Sequence, residues 1–126
     1  PLSRRDRMRA QKGIPPGMTP DFMIIGAAKS GTGWLAQGLA RNPACFIAKT
    51  EVHYFSTYFE RETPGWYEAH FAAAKPGQLL GERSNSYMTN PLAAARIHAA
   101  APDARLIAST PKILLTCTLH KSKCNL

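Results

Sequence analysis

Residues 26–33, GAAKSGTG, place one cation, Lys29, and two hydroxyls, Ser30 and Thr32, in a stretch of otherwise small residues. An apolar run, residues 22–25, precedes it. Helix formers follow, with Trp34, Leu35, Gly38 and Leu39 at spacings of three and four. A strand, a glycine-bearing turn and a helix in this order leave backbone N–H groups free at a helix N-terminus, where they and the helix dipole favour a phosphate or sulfate. The stretch reads as an anion cradle formed by Lys29, Ser30, Gly31, Thr32 and Gly33; a ligand-free strand-to-helix turn is the other reading. Further along, Glu51 and His53 alternate with Val52 and Tyr54, so an extended segment would put both polar groups on one side. Placed after a parallel strand, that side could overlook the crevice where open α/β sheets bind ligands; on an edge segment it would simply face solvent. The pair Glu82 and Arg83, leaving a short apolar run, reads on its own as a solvated turn.

The position of the lysine narrows the anion. A nucleoside triphosphate loop is Gly, four residues, then Gly-Lys-Ser/Thr. Gly26 and Gly31 have that glycine spacing, yet Thr32 stands where the lysine belongs and the cation sits three residues earlier, at Lys29. A lysine beyond the second glycine reaches the terminal phosphates of ATP beside magnesium; a cation inside the loop suits a shorter group, such as one 5′-phosphate with its leaving group.

The elements that must hold these residues follow from short apolar runs alternating with helical segments. Strands are expected near residues 22–26, 44–48, 78–82 and 105–108, which predicts a three-layer, P-loop-like α/β domain with a parallel sheet. Asn42-Pro43 ends the first helix. Trp66, Tyr67, His70 and Phe71 give a second helix, around residues 65–74, an apolar side better suited to a core than to a binding surface. Asn90-Pro91 opens an alanine-rich helix over residues 92–101, closed by Pro102-Asp103.

The chain of 126 residues is the size of one domain. Its net charge of +8 suggests a nucleic-acid partner until it is divided along the chain. Residues 1–12 carry Arg4, Arg5, Arg7, Arg9 and Lys12 against Asp6, and residues 111–126 carry Lys112, Lys121 and Lys123 with no acid, leaving the centre nearly balanced. Neither tail interleaves aromatic residues for base stacking, so no nucleic acid is expected. Cys45, Cys117 and Cys124 form no CxxC pair and have no zinc spacing. No apolar run approaches the roughly 20 residues that span a bilayer, and no transmembrane segment is expected.

The segment AAKSGTGWL resembles the 5′-phosphosulfate-binding loop of sulfotransferases that use 3′-phosphoadenosine 5′-phosphosulfate (PAPS), commonly written PKSGTTWL or RKGGTRAL, with lysine, glycine, threonine and the following helix in register. The segment KTEVHYF, residues 49–55, is similar to the KEVHFF-like segment of the heparan sulfate type and its bacterial relatives, although Thr50 separates Lys49 from Glu51. GERSNSYM, residues 81–88, is similar to GEKSPSYL, with Arg83 for the usual lysine and Asn85 for the usual proline. The resemblance implies PAPS as co-substrate, no metal, and an acceptor hydroxyl or amine, glycan-like in kind. It implies Glu51 as catalytic base, His53 in support, Lys29 at the sulfuryl and bridging oxygens, Arg83 near the sulfuryl group, and residues 30–33 on the 5′-phosphate. Arginine keeps the charge at position 83 but presents a larger, planar head.

The resemblance covers residues 20–108, the N-terminal part of a normally longer domain. Residues 1–19 read as a basic flexible leader. Residues 109–126 do not match: the family places an arginine and then a serine after this strand to hold the 3′-phosphate, and here no RDP segment and no arginine follow. A frame shift, an alternative exon or a truncation would produce so abrupt a break. The expectation is a poorly ordered tail, an exposed sheet edge, and weak or absent activity. Two other readings stay open: a P-loop nucleotide kinase, resting on the glycine spacing, and a non-enzymatic basic interaction module. The alanine-rich, cysteine-poor centre points to a cytoplasmic bacterial-type protein, with the Golgi lumen as the alternative for an animal one. Acceptor and oligomeric state stay open.

Overall fold

The structure, a computed structural model, describes residues 19–110 and the strand at 114–118. The leader, apart from Thr19, lies outside the described residues, as do residues 119–126. The elements run β1 (Phe22–Gly26), α1 (Thr32–Ala40), β2 (Cys45–Ile47), a wide helical turn at Tyr54–Tyr58, α2 (Pro64–Ala69), β3 (Leu79–Arg83), a 3₁₀ turn at Asn85–Tyr87, α3 (Ala93–Ala100), β4 (Arg105–Ser109) and β5 (Leu114–Thr118). They form one sheet in the order β2-β3-β1-β4-β5.

The first four strands are parallel, and each coincides with an apolar run of the sequence. β1 lies between β3 and β4, and Phe22, Met23 and Ile24 are all buried, as a strand covered on both faces requires. Phe22 pairs with Gly81, and its ring occupies the space where any Cβ at position 81 would stand. Right-handed crossovers carry α1 leftwards from β1 to β2 and the later helices rightwards, so α1 covers one face and α2 and α3 the other. The expected α/β architecture is therefore present.

The larger core lies on the face covered by α2 and α3. Met23 and Leu106 from the sheet meet Val52, Phe55, Tyr67, Phe71, Tyr87 and Ile97 there. Tyr54 stacks on Tyr67 at 4.8 Å between ring centroids, and Phe55 meets the edges of Tyr67 and Tyr87. Tyr67 and Phe71 are core residues, as their spacing suggested, although α2 ends at Ala69, short of the expected residue 74. Thr63 caps α2, accepting a hydrogen bond from the Trp66 amide, with Pro64 in the first turn.

Two expectations need correcting. Part of the non-matching tail is ordered: β5 pairs antiparallel with β4, from Arg105 opposite Thr118 to Ser109 opposite Leu114, so it covers that edge of β4. Its residues, LLTCT, are apolar or β-branched and suit a strand whatever their ancestry. The segment after β2 is not an extended strand either. His53 adopts a left-handed conformation, φ 52°, and its carbonyl then accepts from the amides of Thr57 and Tyr58, closing the wide turn.

Candidate active site

The cradle is built at the C-terminal end of β1. Lys29 and Gly31 both take positive φ, 58° and 78°, which turns the chain sharply into α1. Gly26 is held by two requirements: its φ of 147°, and the approach of Met88 Cβ to within 3.0 Å of where its own Cβ would stand. The α1 N-terminus has Gly31 as its cap, makes no side-chain capping bond and has no acidic residue in its first turn. Its leading N–H groups are thus left without a carboxylate or hydroxyl to accept them, and the dipole is uncompensated. Lys29 is exposed beside them, and Thr32, in the first turn, is buried.

One anchor of this loop went unread in the sequence. Ser109, at the end of β4, donates from its hydroxyl to the Ser30 carbonyl at 2.6 Å, and its own carbonyl accepts from the Ala27 amide at 2.8 Å. The first residue of the non-matching tail thus ties down the cradle. Only the β4 register brings it there, since 79 positions separate it from Ser30.

Glu51, His53 and Arg83 are gathered at the same edge of the sheet, after β2 and at the end of β3. Glu51 Oε1 accepts from the Asn85 amide at 2.9 Å and lies 4.0 Å from Arg83 Nη1; its Oε2 is 3.8 Å from His53 Nε2. Both of these side-chain separations exceed hydrogen-bond length and leave room for a bridging group. Arg83 Nη1 also lies 3.9 Å from where a Cβ of Gly33 would stand, so one guanidinium reaches from the first turn of α1 to the Glu51 carboxylate. The other face of His53 is held by Ser86, Nδ1 to Oγ 2.7 Å, and Ser86 in turn meets Ser56 Oγ at 2.6 Å.

Beneath this pair lies a group to which the sequence gave no role. Glu82 is completely buried and accepts from Tyr67 Oη at 2.6 Å, Ser84 Oγ at 2.7 Å and Tyr87 Oη at 3.0 Å. Burial raises its carboxyl from 4.5 to about 7, against the lowering effect of the three hydroxyl donors. Tyr67 and Tyr87 are raised as well, first by burial and then by the charge of Glu82. A glutamate inside a buried strand, followed at two and five positions by hydroxyl residues, was the only signal in the sequence.

A cavity of about 270 Å³ opens beside Arg83, between α1 and the segment after β2, lined by Gly33, Gln37, Lys49 and Thr50 among others. A larger cleft of about 500 Å³ lies at the opposite end of the strands, against Asp21, Phe22 and Arg105, away from every candidate residue. Among the described residues no group of histidine, cysteine or carboxylate side chains could hold a metal, and no helix is long and apolar enough to cross a membrane.

These features define a P-loop-like α/β domain in which the glycine-bearing loop entering α1 lies near an arginine and a carboxylate. Comparison with known proteins gives the class a chemistry. Membrane-associated sulfotransferase kil1 of Dictyostelium discoideum is 34% identical over 92 residues, which cover 70% of this chain and 19% of that protein. Heparan sulfate glucosamine 3-O-sulfotransferase 6 of Homo sapiens is 34% identical over 88 residues, covering 70% of this chain and 25% of that protein. The crystal structure of a sulfotransferase from Alicyclobacillus acidocaldarius superposes with a TM-score of 0.64 at 30% identity, covering 71% of this chain and 43% of the other. No protein-family model matches the chain. Sequence and fold both relate the chain to the sulfotransferase family, and it spans a quarter or less of the length of these curated relatives.

Proposed function

We propose that the cradle at residues 29–33 binds PAPS and that Glu51 is the base for sulfuryl transfer from it to a hydroxyl or amine of a glycan-like acceptor. The observation that carries this reading is the guanidinium of Arg83, which spans from the start of α1 to Glu51. An anion seated on the α1 N-terminus would present its outer atoms to that cation and, beyond it, to the carboxylate. In the reaction the acceptor oxygen or nitrogen bonds to sulfur as the bond from sulfur to the 5′-phosphate oxygen breaks, and 3′,5′-ADP leaves. Glu51 takes the acceptor's proton. Lys29, Arg83 and the N–H groups of residues 30–33 stabilise charge on the transferring and leaving oxygens. His53, fixed by Ser86, keeps its Nε2 towards the carboxylate.

The cavity bounded by Lys49, Arg83 and Gln37 is the acceptor's place in this reading, and its two cations suit an anionic sugar. Residues 109–126 contain no arginine to hold the 3′-phosphate. Charge-assisted contacts to phosphate contribute roughly 1.5–3 kcal/mol each, so lacking the arginine weakens PAPS by about tenfold or more, and transfer by this chain is weak.

Calorimetry tests the reading. 3′,5′-ADP binds the parent chain, with little preference over 5′-AMP, and Lys29→Ala weakens it by about tenfold or more. Tighter, magnesium-dependent binding of ATP would instead identify a nucleotide kinase. Any transfer of label from PAPS to a panel of glycans disappears in Glu51→Gln; full transfer by that variant would remove Glu51 from the role of base.

A further inference from the structure

The backbone beside Glu51 is held from below by hydroxyls that all rest on one buried carboxyl. Ser84 Oγ accepts from two successive amides, Val52 at 3.2 Å and His53 at 2.9 Å, and donates its proton to Glu82 Oε2 at 2.7 Å. Tyr87 Oη accepts from the Phe55 amide at 3.3 Å and donates to Glu82 Oε1 at 3.0 Å. Three amides of residues 52–55 therefore end, through one hydroxyl each, on the same side chain, and a third hydroxyl, from Tyr67 on α2, closes the set at 2.6 Å. This is the stretch where His53 takes its left-handed conformation, the turn that brings its ring to Glu51 and Ser86.

We infer that Glu82 is the positioning residue for the pair formed by Glu51 and His53, acting through the hydroxyls of Ser84 and Tyr87 on the backbone of residues 52–55. Glu82 touches no ligand in this arrangement, being completely buried. In its ionised form, above about pH 7, the carboxylate is an acceptor only, so both oxygens draw hydroxyl protons and leave the hydroxyl lone pairs to the amides. An amide at position 82 could not do this for all three hydroxyls, because one side of it donates. The inference rests on the proposed role of Glu51, and goes beyond it by saying what sets the geometry of that residue.

The test uses the full chain with isotope-labelled glutamate and histidine, and reads the titration midpoints of Glu51 and His53 by NMR with backbone amide exchange. The charged group beside this pair is Arg83; the titratable groups facing Glu82 are the neutral phenols Tyr67 and Tyr87, and none is changed in Ser84→Ala. In Ser84→Ala the Val52 and His53 amides exchange about tenfold faster or more, and the midpoints of Glu51 and His53 move by about half a pH unit or more. Tyr87→Phe, which deletes one hydroxyl and leaves the ring, speeds exchange at Phe55. Thr63→Ala serves as comparator, losing a helix cap and some stability without moving either midpoint. Folded Ser84→Ala and Tyr87→Phe with unmoved midpoints and parental exchange would overturn the positioning role. Should Ser84→Ala not fold, Tyr87→Phe decides by the same readings. Binding of 3′,5′-ADP, measured alongside, stays within about twofold of the parent, since the cradle hangs on β1 and Ser109. Absence of that binding in the parent would refute the proposed function while the midpoints still judge the role of Glu82.

Discussion

Replacing Glu82 with glutamine should change how stability depends on pH, and the size of the change follows from the burial of this one carboxyl. In the unfolded chain a glutamate titrates near 4.5; in the fold Glu82 is raised to about 7, chiefly because burial penalises its charge. Below 4.5 it is protonated in both states and contributes no pH dependence. Between 4.5 and about 7 the unfolded chain has released the proton and the folded one keeps it, so stability falls as pH rises, at about 1.4 kcal/mol per unit. Above 7 the proton is gone from both and the loss is constant. Across a span of about two and a half units the loss comes to about 3 kcal/mol. Glutamine does not titrate, so the parent's stability minus the variant's should decline by this amount between about pH 4 and pH 8. Urea unfolding followed by circular dichroism at several pH values measures it, and taking the difference cancels the other titrating groups. A flat difference, or one that rises with pH, would refute the reasoning, since it would mean that the three hydroxyls hold Glu82 ionised throughout.

Other substitutions probe the cradle and the sheet. Ser109→Ala, which deletes the bond to the Ser30 carbonyl, should weaken 3′,5′-ADP by several-fold at a stability cost of about 1 kcal/mol, read by calorimetry and thermal melting. Gly81→Ala should destabilise the fold by roughly 1–3 kcal/mol, because the new Cβ would collide with the Phe22 ring in a buried strand pair; an unchanged melting temperature would contradict the packing described. Thr63→Ala should cost about 1 kcal/mol through loss of the α2 cap, again by melting.

What the sequence made legible was whatever local chemistry decides. The four parallel strands are short apolar runs punctuated by glycine and proline, and the loop after β1 is a contiguous stretch whose φ values at Gly26 and Gly31 favour glycine. Glu51 and His53 were identified as a pair, but for a reason that does not hold: alternation in an extended segment was expected, whereas a left-handed turn at His53 brings the two together. That turn depends on Ser84, 31 positions away, which no local pattern contains. Glu82 was obscured for the same reason, since a glutamate at the end of a short strand resembles a solvated charge until Tyr67 arrives from α2. The tail misled in the opposite way. Loss of family resemblance after Ala108 suggests that much of residues 109–126 is poorly ordered, yet the β-forming residues of 114–118 suffice to pair with β4.

The sheet order explains why these parts work together although they are encoded so differently. Placing β1 beside β3 sets the end of the cradle strand next to Arg83, and placing β2 beyond β3 sets Glu51 on the far side of that arginine. In the proposed reaction the loop that would bind the anion is held by β1, α1 and the Ser109 bonds, and the segment of the proposed base by the hydroxyls gathered on Glu82. Arg83 is the side chain that reaches from the α1 side to Glu51, because its guanidinium lies close to Gly33 and to Glu51 at once. Damage to one half should therefore leave the other measurable: Lys29→Ala removes anion affinity without moving the Glu51 titration, and Ser84→Ala does the reverse. A substitution at Arg83 should disturb both, and that asymmetry among three single substitutions is the behaviour expected of a site assembled from two independent supports joined by one cation.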